Sequence, residues 1–351
     1  MIEPYNVTVV QPRTRPVFRA DGVFRRDVLR ENLEHCCELI HQGHRAYRSR
    51  LFVLPEFCLH GFEIGVPTPA WIESSVRLPG PESERLAQVA RATGAYVAGM
   101  VYEIIDEFPG RYFNTAFIIS PGGEIVLRYR KLYSLTGKTS PVDVYDQYVR
   151  LHGGPESLFP VVDTPLGRLG ALVCYDINYP EVARCLALRG AEVLLHITSE
   201  ARGPEQAADG GWTVARRARA WENVCYLAMA DSGPQVDTDL PPNVCHGHSQ
   251  VIDYTGRVLH MAEGGEECMI TAEIDIEALR RRRTGRRYNF LTELCAQAHA
   301  PIYAAAQAFP INGFAAAPMP DVADNHARHA AVVAAMQSQG VLVPPARGRS
   351  A

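Results

Sequence analysis

Two hydrophobic periods take turns along the chain up to about residue 280. Short apolar runs of strand length stand at Val7 to Val10, Leu51 to Leu54 and Ala95 to Glu103. Between them, Leu29, Leu33, Cys36 or Cys37, and Ile40 recur every three to four residues, and a second helical segment from Glu82 to Thr93 is stopped by Gly94. The chain therefore opens strand-helix-strand-helix-strand. Phe113 to Ser120 and Glu124 to Arg130 are split by Pro121-Gly122-Gly123, a hairpin signal. Further strands are expected at Val161-Val162, Leu169 to Val173, Glu192 to Ile197, Val224 to Ala230, Gly247 to Asp253 and Cys268 to Ile274, with helices at about 180 to 189 and 212 to 223. The pattern predicts an α/β fold of mixed sheets covered by helices. No linker interrupts it, so residues 1–300 are expected to form one domain. Residues 301–351 then form an Ala- and Pro-rich extension that includes Phe314-Ala315-Ala316-Ala317-Pro318-Met319-Pro320 and a helix from Asn325 to Gln337. This extension is expected either to cross onto a neighbouring subunit as an oligomerisation arm or to be partly disordered.

Composition narrows the function classes. Of 351 residues, 47% are hydrophobic, ample for a large buried core. The formal charge of −4 is spread over 35 basic and 39 acidic residues, so no face is expected to attract nucleic acid or a membrane surface. The exception is Arg280-Arg281-Arg282-Arg283 with Arg286-Arg287. No aromatic platform interleaves it, which favours a solvated helix end or an intersubunit ion-pair cluster over an RNA or anion site. The N-terminal residues lack a basic segment followed by an apolar one, and no apolar run approaches a membrane span; a cytoplasmic location is expected. Nine cysteines with no Cys-x-x-Cys pair fit reduced thiols rather than disulfides.

One of those cysteines stands apart. Cys174 follows the apolar run Leu169 to Val173 and precedes Tyr175-Asp176 and the helix-starting Pro180-Glu181. A thiol where a buried strand meets a turn and a helix N-terminus lies beside free backbone N–H groups, which suits a nucleophile. Two other strand ends carry complementary groups: Glu56 after Leu51 to Pro55, and Lys131 after Ile125 to Arg130. Each residue alone reads more readily as structural: a core thiol, a hydrogen-bonding carboxylate, a solvated ammonium. Three strand ends offering Glu, Lys and Cys make coincidence the weaker explanation.

Leu54-Pro55-Glu56, Tyr129-Arg130-Lys131 and Cys174-Tyr175-Asp176 with Pro180-Glu181 resemble the nitrilase superfamily of carbon-nitrogen hydrolases. Weaker echoes are Phe113-Asn114-Thr115-Ala116, Arg189-Gly190-Ala191-Glu192, Arg219-Ala220-Trp221-Glu222-Asn223 and Gly247-His248-Ser249. The resemblance spans roughly residues 5 to 280. It implies a four-layer αββα sandwich of the nitrilase type, subunits associating into a homo-oligomer, and no metal or organic cofactor. Tyr175-Asp176 after the cysteine looks more like amidases and carbamoylases than true nitrilases, so a small-molecule amide or N-carbamoyl compound is the expected substrate. A nitrile is the alternative, and a non-catalytic or acyl-transferring relative a further one.

In that chemistry Cys174 would attack the carbonyl carbon, Glu56 would carry the proton, and Lys131 with the Tyr175 backbone N–H would hold the oxyanion on the way to a thioester. Many members carry a second glutamate between lysine and cysteine. Here the candidates for this supporting carboxylate are Asp146, Asp143 and the displaced Glu156. Tyr112, Tyr179, His196 and Trp221 are candidate pocket walls, and Cys58 is read as a core residue more than a pocket one. His246 and His248 share a strand face, but without a nameable third ligand they read as packed histidines, not a metal site. Specificity is expected in the loops 133–158, 199–211 and 233–246.

Overall fold

The computed structural model describes residues 1–19, 21–63, 65–134, 139–201, 207–241, 244–306, 309–316 and 318–345. Strand β1 (Tyr5–Gln11) runs parallel to β2 (Leu51–Val53), Val7 opposite Leu51, and β2 runs parallel to β3 (Tyr96–Glu103). The connections between these strands are helices, as parallel pairing requires. Helix α1 (Arg26–Tyr47) buries Leu29, Leu33, Cys36, Cys37 and Ile40. A short α2 (Thr68–Ser74) is followed by α3 (Pro81–Thr93), which ends at Gly94 in a left-handed conformation, φ 65°. The expected hairpin is β4 (Phe113–Ile119) and β5 (Ile125–Arg130), paired antiparallel.

The second half repeats this logic. Strands β6 (Val161–Thr164), β7 (Gly167–Val173), β8 (Val193–Ile197), β9 (Tyr226–Ala230), β10 (Gln250–Ile252) and β11 (Val258–Met261) follow in order across one sheet. Helices α4 (Tyr145–His152), α5 (Pro180–Leu188) and α6 (Gly211–Asn223) belong to this half. Strand β12 (Cys268–Ile274) returns to the first sheet, antiparallel to β1. The two six-stranded sheets are thus β12-β1-β2-β3-β4-β5 and β11-β10-β9-β8-β7-β6. They pack face to face, β1 on β9, β3 on β8 and β4 on β7. Helices α1 and α3 lie on one outer face and α5 and α6 on the other. This is the four-layer αββα sandwich, and it explains the near-continuous apolar runs: β3, β8 and β9 are buried on both faces. The half-exposed edge strand β11 had no such run to betray it.

Three C-terminal helices follow: α7 (Ile276–Arg283), α8 (Ala296–Ala305) and α9 (Val322–Ser338). The arginine run is engaged within the chain. Arg280 pairs with Glu192 at 2.7 and 3.0 Å, and Arg283 donates to the Val224 carbonyl at 2.9 Å. The described part of the tail makes contacts with its own chain. Arg328 of α9 pairs with the buried Asp143 and lies between the rings of Phe309 and Phe314, 4.5 and 4.8 Å from their centroids. Asn312 N–H donates to the Val142 carbonyl at 2.8 Å.

Candidate active site

The chain leaves β7 at Val173, and Cys174 takes φ +50°, a conformation that residues other than glycine, asparagine and aspartate seldom adopt. A 3₁₀ turn over Cys174–Asn178 then leads to Pro180 at the first position of α5. The elbow is fixed from below by Asp176. Its buried carboxylate accepts from the Tyr129 hydroxyl at 2.7 Å, the Tyr133 N–H at 2.9 Å and the Val173 N–H at 3.4 Å. His196 Nε2 donates to the Cys174 carbonyl at 3.0 Å. Burial and the nearby positive charge of Arg216 hold this imidazole well below the ordinary histidine range, hence neutral. The turn leaves the Tyr175 N–H without an acceptor inside it.

Glu56 and Lys131 come to the elbow from the other sheet. The Glu56 N–H donates to the Thr198 carbonyl at 3.1 Å and its carbonyl accepts from Ser232 Oγ at 2.9 Å, so the facing sheet, beyond the ends of β8 and β9, holds its backbone at two points. Its Oε1 accepts from Lys131 Nζ at 3.0 Å and from Asn114 Nδ2. The Asn114 carbonyl also accepts the Lys131 N–H at 2.9 Å, so one asparagine sets both members of the pair. Glu56 and Lys131 are buried, 1% and 7% exposed, while Cys174 keeps partial access. Burial opposes the Lys131 charge, but the Cys174 sulfur and the Glu56 and Asp176 carboxylates outweigh it and raise its pKa, so the ammonium is permanent. Burial and Glu56 push the Cys174 thiol up to about 12, against Lys131 and a hydrogen bond with Thr198. A resting thiol beside a carboxylate and a fixed cation is a nucleophile whose proton has a destination and whose adduct has a counter-charge.

The other expected residues are distributed unevenly. Tyr179 stacks on Tyr133, centroids 3.6 Å apart and planes 8° from parallel, with Tyr175 5.6 Å away edge-on. All three line a cavity of about 240 Å³ whose remaining wall includes Ser140, Asp143 and the tail residues Phe309, Asn325 and Arg328. Tyr112 is buried against Tyr102, whose own environment includes Glu56 and Cys174. Trp221 lies elsewhere: it is 38% exposed on α6 and packs on Phe290 and Tyr288, because the face of α6 turned to the sheet is occupied by Arg216, Ala220 and Asn223.

Of the three candidates for a supporting carboxylate, Asp146 and Glu156 are exposed and Asp143 pairs with Arg328. The carboxylates that raise the Lys131 pKa are Glu56 and, after it, Asp176. The place of Asp176 two residues past the cysteine hid it inside a motif already used. Glu200 and Arg216, a buried ion pair near the thiol, also gave no signal in sequence, since neither stands in a recognisable spacing. Cys58 faces Cys36 in the core, and the His246 and His248 rings stack 6.3 Å apart. Of the expected specificity loops, residues 135–138, 202–206 and 242–243 lie outside the described residues.

The sequence profile of the family described as carbon-nitrogen hydrolase matches residues 7–284. An omega-amidase NIT2 from Xenopus tropicalis is 31% identical over 251 residues, 71% of this chain and 84% of that protein. A protein named hydrolase in pqqF 5'region, from Pseudomonas protegens, is 32% identical over 247 residues, 68% of this chain and 76% of its own. Among solved structures, the NitN amidase from Nesterenkonia sp. AN1 superposes with a TM-score of 0.63 at 23% identity, covering 85% of this chain and 99% of that one.

Proposed function

Because this chain belongs to the carbon-nitrogen hydrolase family and is an amidase-type hydrolase of non-peptide carbon–nitrogen bonds, we propose that Cys174, Glu56 and Lys131 carry its reaction and that the substrate is a small molecule with a terminal carboxamide. One observation carries this reading: the 3.0 Å Lys131–Glu56 pair is buried at the mouth of the Cys174 elbow, with all three side chains on strand ends of two facing sheets. Rigid strands hold such groups to the tolerance that acyl transfer needs. Glu56 takes the thiol proton as sulfur attacks the carbonyl carbon. Lys131 and the Tyr175 N–H meet the oxyanion, Glu56 returns the proton to departing ammonia, and Glu56 then activates water against the thioester.

The likeness to omega-amidases favours a terminal amide over a nitrile. A structure of a variant of the Nesterenkonia amidase shows covalent addition of the acetamide moiety of fluoroacetamide at its active-site cysteine. The aromatic cavity beside Tyr175 offers room for the acyl part, so the tail beyond residue 300 acts as a wall of the site. A cytoplasmic homo-oligomer fits the free thiols and the exposed Leu188, Val214 and Trp221 on α5 and α6. Ammonia release from a panel of terminal amides, N-carbamoyl compounds and nitriles tests the assignment. Turnover of terminal amides is expected; release from nitriles alone would reject it.

A further inference from the structure

An oxyanion donor is effective when it is aimed before the charge develops. The Tyr175 N–H shares one peptide unit with the Cys174 carbonyl, and that unit is planar and trans, so the two groups point in opposite directions. Whatever holds the carbonyl therefore aims the N–H. The 3₁₀ turn over Cys174–Asn178 is a loose hold, since hydrogen bonds in such turns have poor geometry, and Cys174 enters it at φ +50°, which its side chain disfavours. A second hold comes from outside the turn. His196 Nε2 reaches the Cys174 carbonyl at 3.0 Å from β8, in which His196 stands opposite Leu172 of β7.

His196 is 0% exposed on a strand buried throughout. A carbonyl only accepts and a neutral imidazole carries one proton, so that proton is on Nε2. Nδ1 is then a bare lone pair, buried and without a hydrogen-bond partner among the described residues. An unmatched buried acceptor costs stability, and an apolar side chain would fill this strand position without that cost. The bond to Cys174, not packing, accounts for the residue type. We propose that His196 is a positioning residue of the oxyanion site: by holding the Cys174 carbonyl it fixes the direction of the Tyr175 N–H and strengthens it as a donor. The strengthening follows because a carbonyl that accepts a hydrogen bond polarises its own peptide and leaves the N–H at the far end more positive. In the attack the S–H proton moves to a Glu56 carboxylate oxygen, the sulfur pair forms the C–S bond, and the carbonyl π pair moves onto oxygen, where Lys131 and the Tyr175 N–H meet it. His196 exchanges no proton in this step and touches no reacting atom.

The inference rests on the reading of Cys174 as nucleophile and the Tyr175 N–H as donor. Two reactions of the full chain test it: ammonia release from the amide that the substrate panel identifies, and labelling of Cys174 by methyl methanethiolsulfonate, followed by peptide mass analysis. Only the first develops an oxyanion; the second forms a disulfide at the same sulfur with no carbonyl involved. His196→Phe keeps a buried ring but removes the donor, so kcat should fall about 10- to 100-fold while KM and the labelling rate stay within about threefold of wild type. His196→Gln brings an amide N–H near the place of Nε2 and should recover kcat to within about fivefold of wild type, whereas the shorter His196→Asn should not. Should His196→Phe fail to fold, the Gln and Asn variants, alike in chemistry and different in reach, make the same comparison. Ammonia release retained in Cys174→Ala would reject the underlying mechanism and this inference with it. The inference alone falls if His196→Phe or His196→Asn keeps the wild-type kcat, if His196→Gln is as slow as His196→Asn, or if labelling slows in step with kcat, which would mean that His196 places the sulfur and not the N–H.

Discussion

Asp176→Asn separates what the site costs from what it does. Burial pushes the Asp176 carboxyl up to about 6, against the pull of Lys131, the Tyr129 hydroxyl and the Tyr133 and Val173 N–H groups. An exposed aspartate ionises near 3.8, so the unfolded chain gives up this proton first. Below the unfolded value both states hold the proton and there is no penalty. As pH rises from about 4 to above 6 the folded state alone resists ionisation, and it loses about 3 kcal/mol that stays lost at neutral pH. Asparagine keeps the shape and one acceptor oxygen for these donors but never ionises. The stability difference, variant minus wild type, should therefore shift in favour of the variant by about 3 kcal/mol between pH 4 and pH 7.5, whatever its absolute value. Urea unfolding followed by tryptophan fluorescence at five pH values in that range measures it. Activity should move the other way, with kcat reduced at least tenfold, because Lys131 loses the second charge that holds its ammonium. A stability difference independent of pH would show that Asp176 ionises normally and would refute the reasoning; unchanged kcat would remove Asp176 from the support of Lys131.

Other perturbations follow from the same geometry. Cys174→Ala should abolish turnover with little change in melting temperature, since one small, partly accessible side chain is removed; retained ammonia release would reject the mechanism. Lys131→Ala should cut kcat by about 10² to 10³ through loss of oxyanion stabilisation, and should also lower the melting temperature because Glu56 is left buried without its cation. Glu56→Gln removes proton transfer while keeping an amide that can still accept from Lys131, so its turnover should fall as far with a smaller loss of stability; the two thermal melts decide. Arg328→Ala orphans the buried Asp143 carboxylate, at a cost of roughly 3 to 5 kcal/mol to tail docking. Limited proteolysis should then cut within residues 309–345 at least tenfold faster, and KM for long-chain amides should rise more than KM for short ones.

How much of this was legible in the sequence depended on whether the determinant was local. Strand and helix positions came from apolar period, and they matched best where the central strands β3, β8 and β9 are buried on two faces and where α1 presents a full apolar stripe. Glu56, Lys131 and Cys174 were visible because each closes such a strand, and the structure brings Glu56 and Lys131 to 3.0 Å with Cys174 beside them. The supporting carboxylate was sought in the interval after Lys131 because that interval is contiguous with it in sequence. Space is organised differently: the turn after Cys174 tucks Asp176 under the elbow, while Asp146 and Glu156 face solvent.

The tail was opaque for a related reason. Its helix α9 has only Asn325 buried, so period alone does not say what it covers. The decisive contacts are a guanidinium between two phenyl rings and a carboxylate 185 residues earlier in the chain, a pairing no window of sequence can hold. Those contacts have a consequence for specificity. The family profile ends at residue 284, yet Phe309, Asn325 and Arg328 form part of the cavity shared with Tyr133, Tyr175 and Tyr179. The groups assigned to bond cleavage thus sit in the shared fold, while one wall of the adjoining cavity is built by a segment outside it. Changes in the tail can therefore reshape this adjoining cavity without touching Glu56, Lys131 or Cys174, because those three are positioned by strand ends and by Asn114, Thr198 and Ser232, to which no hydrogen bond or ion pair joins the tail among the described residues.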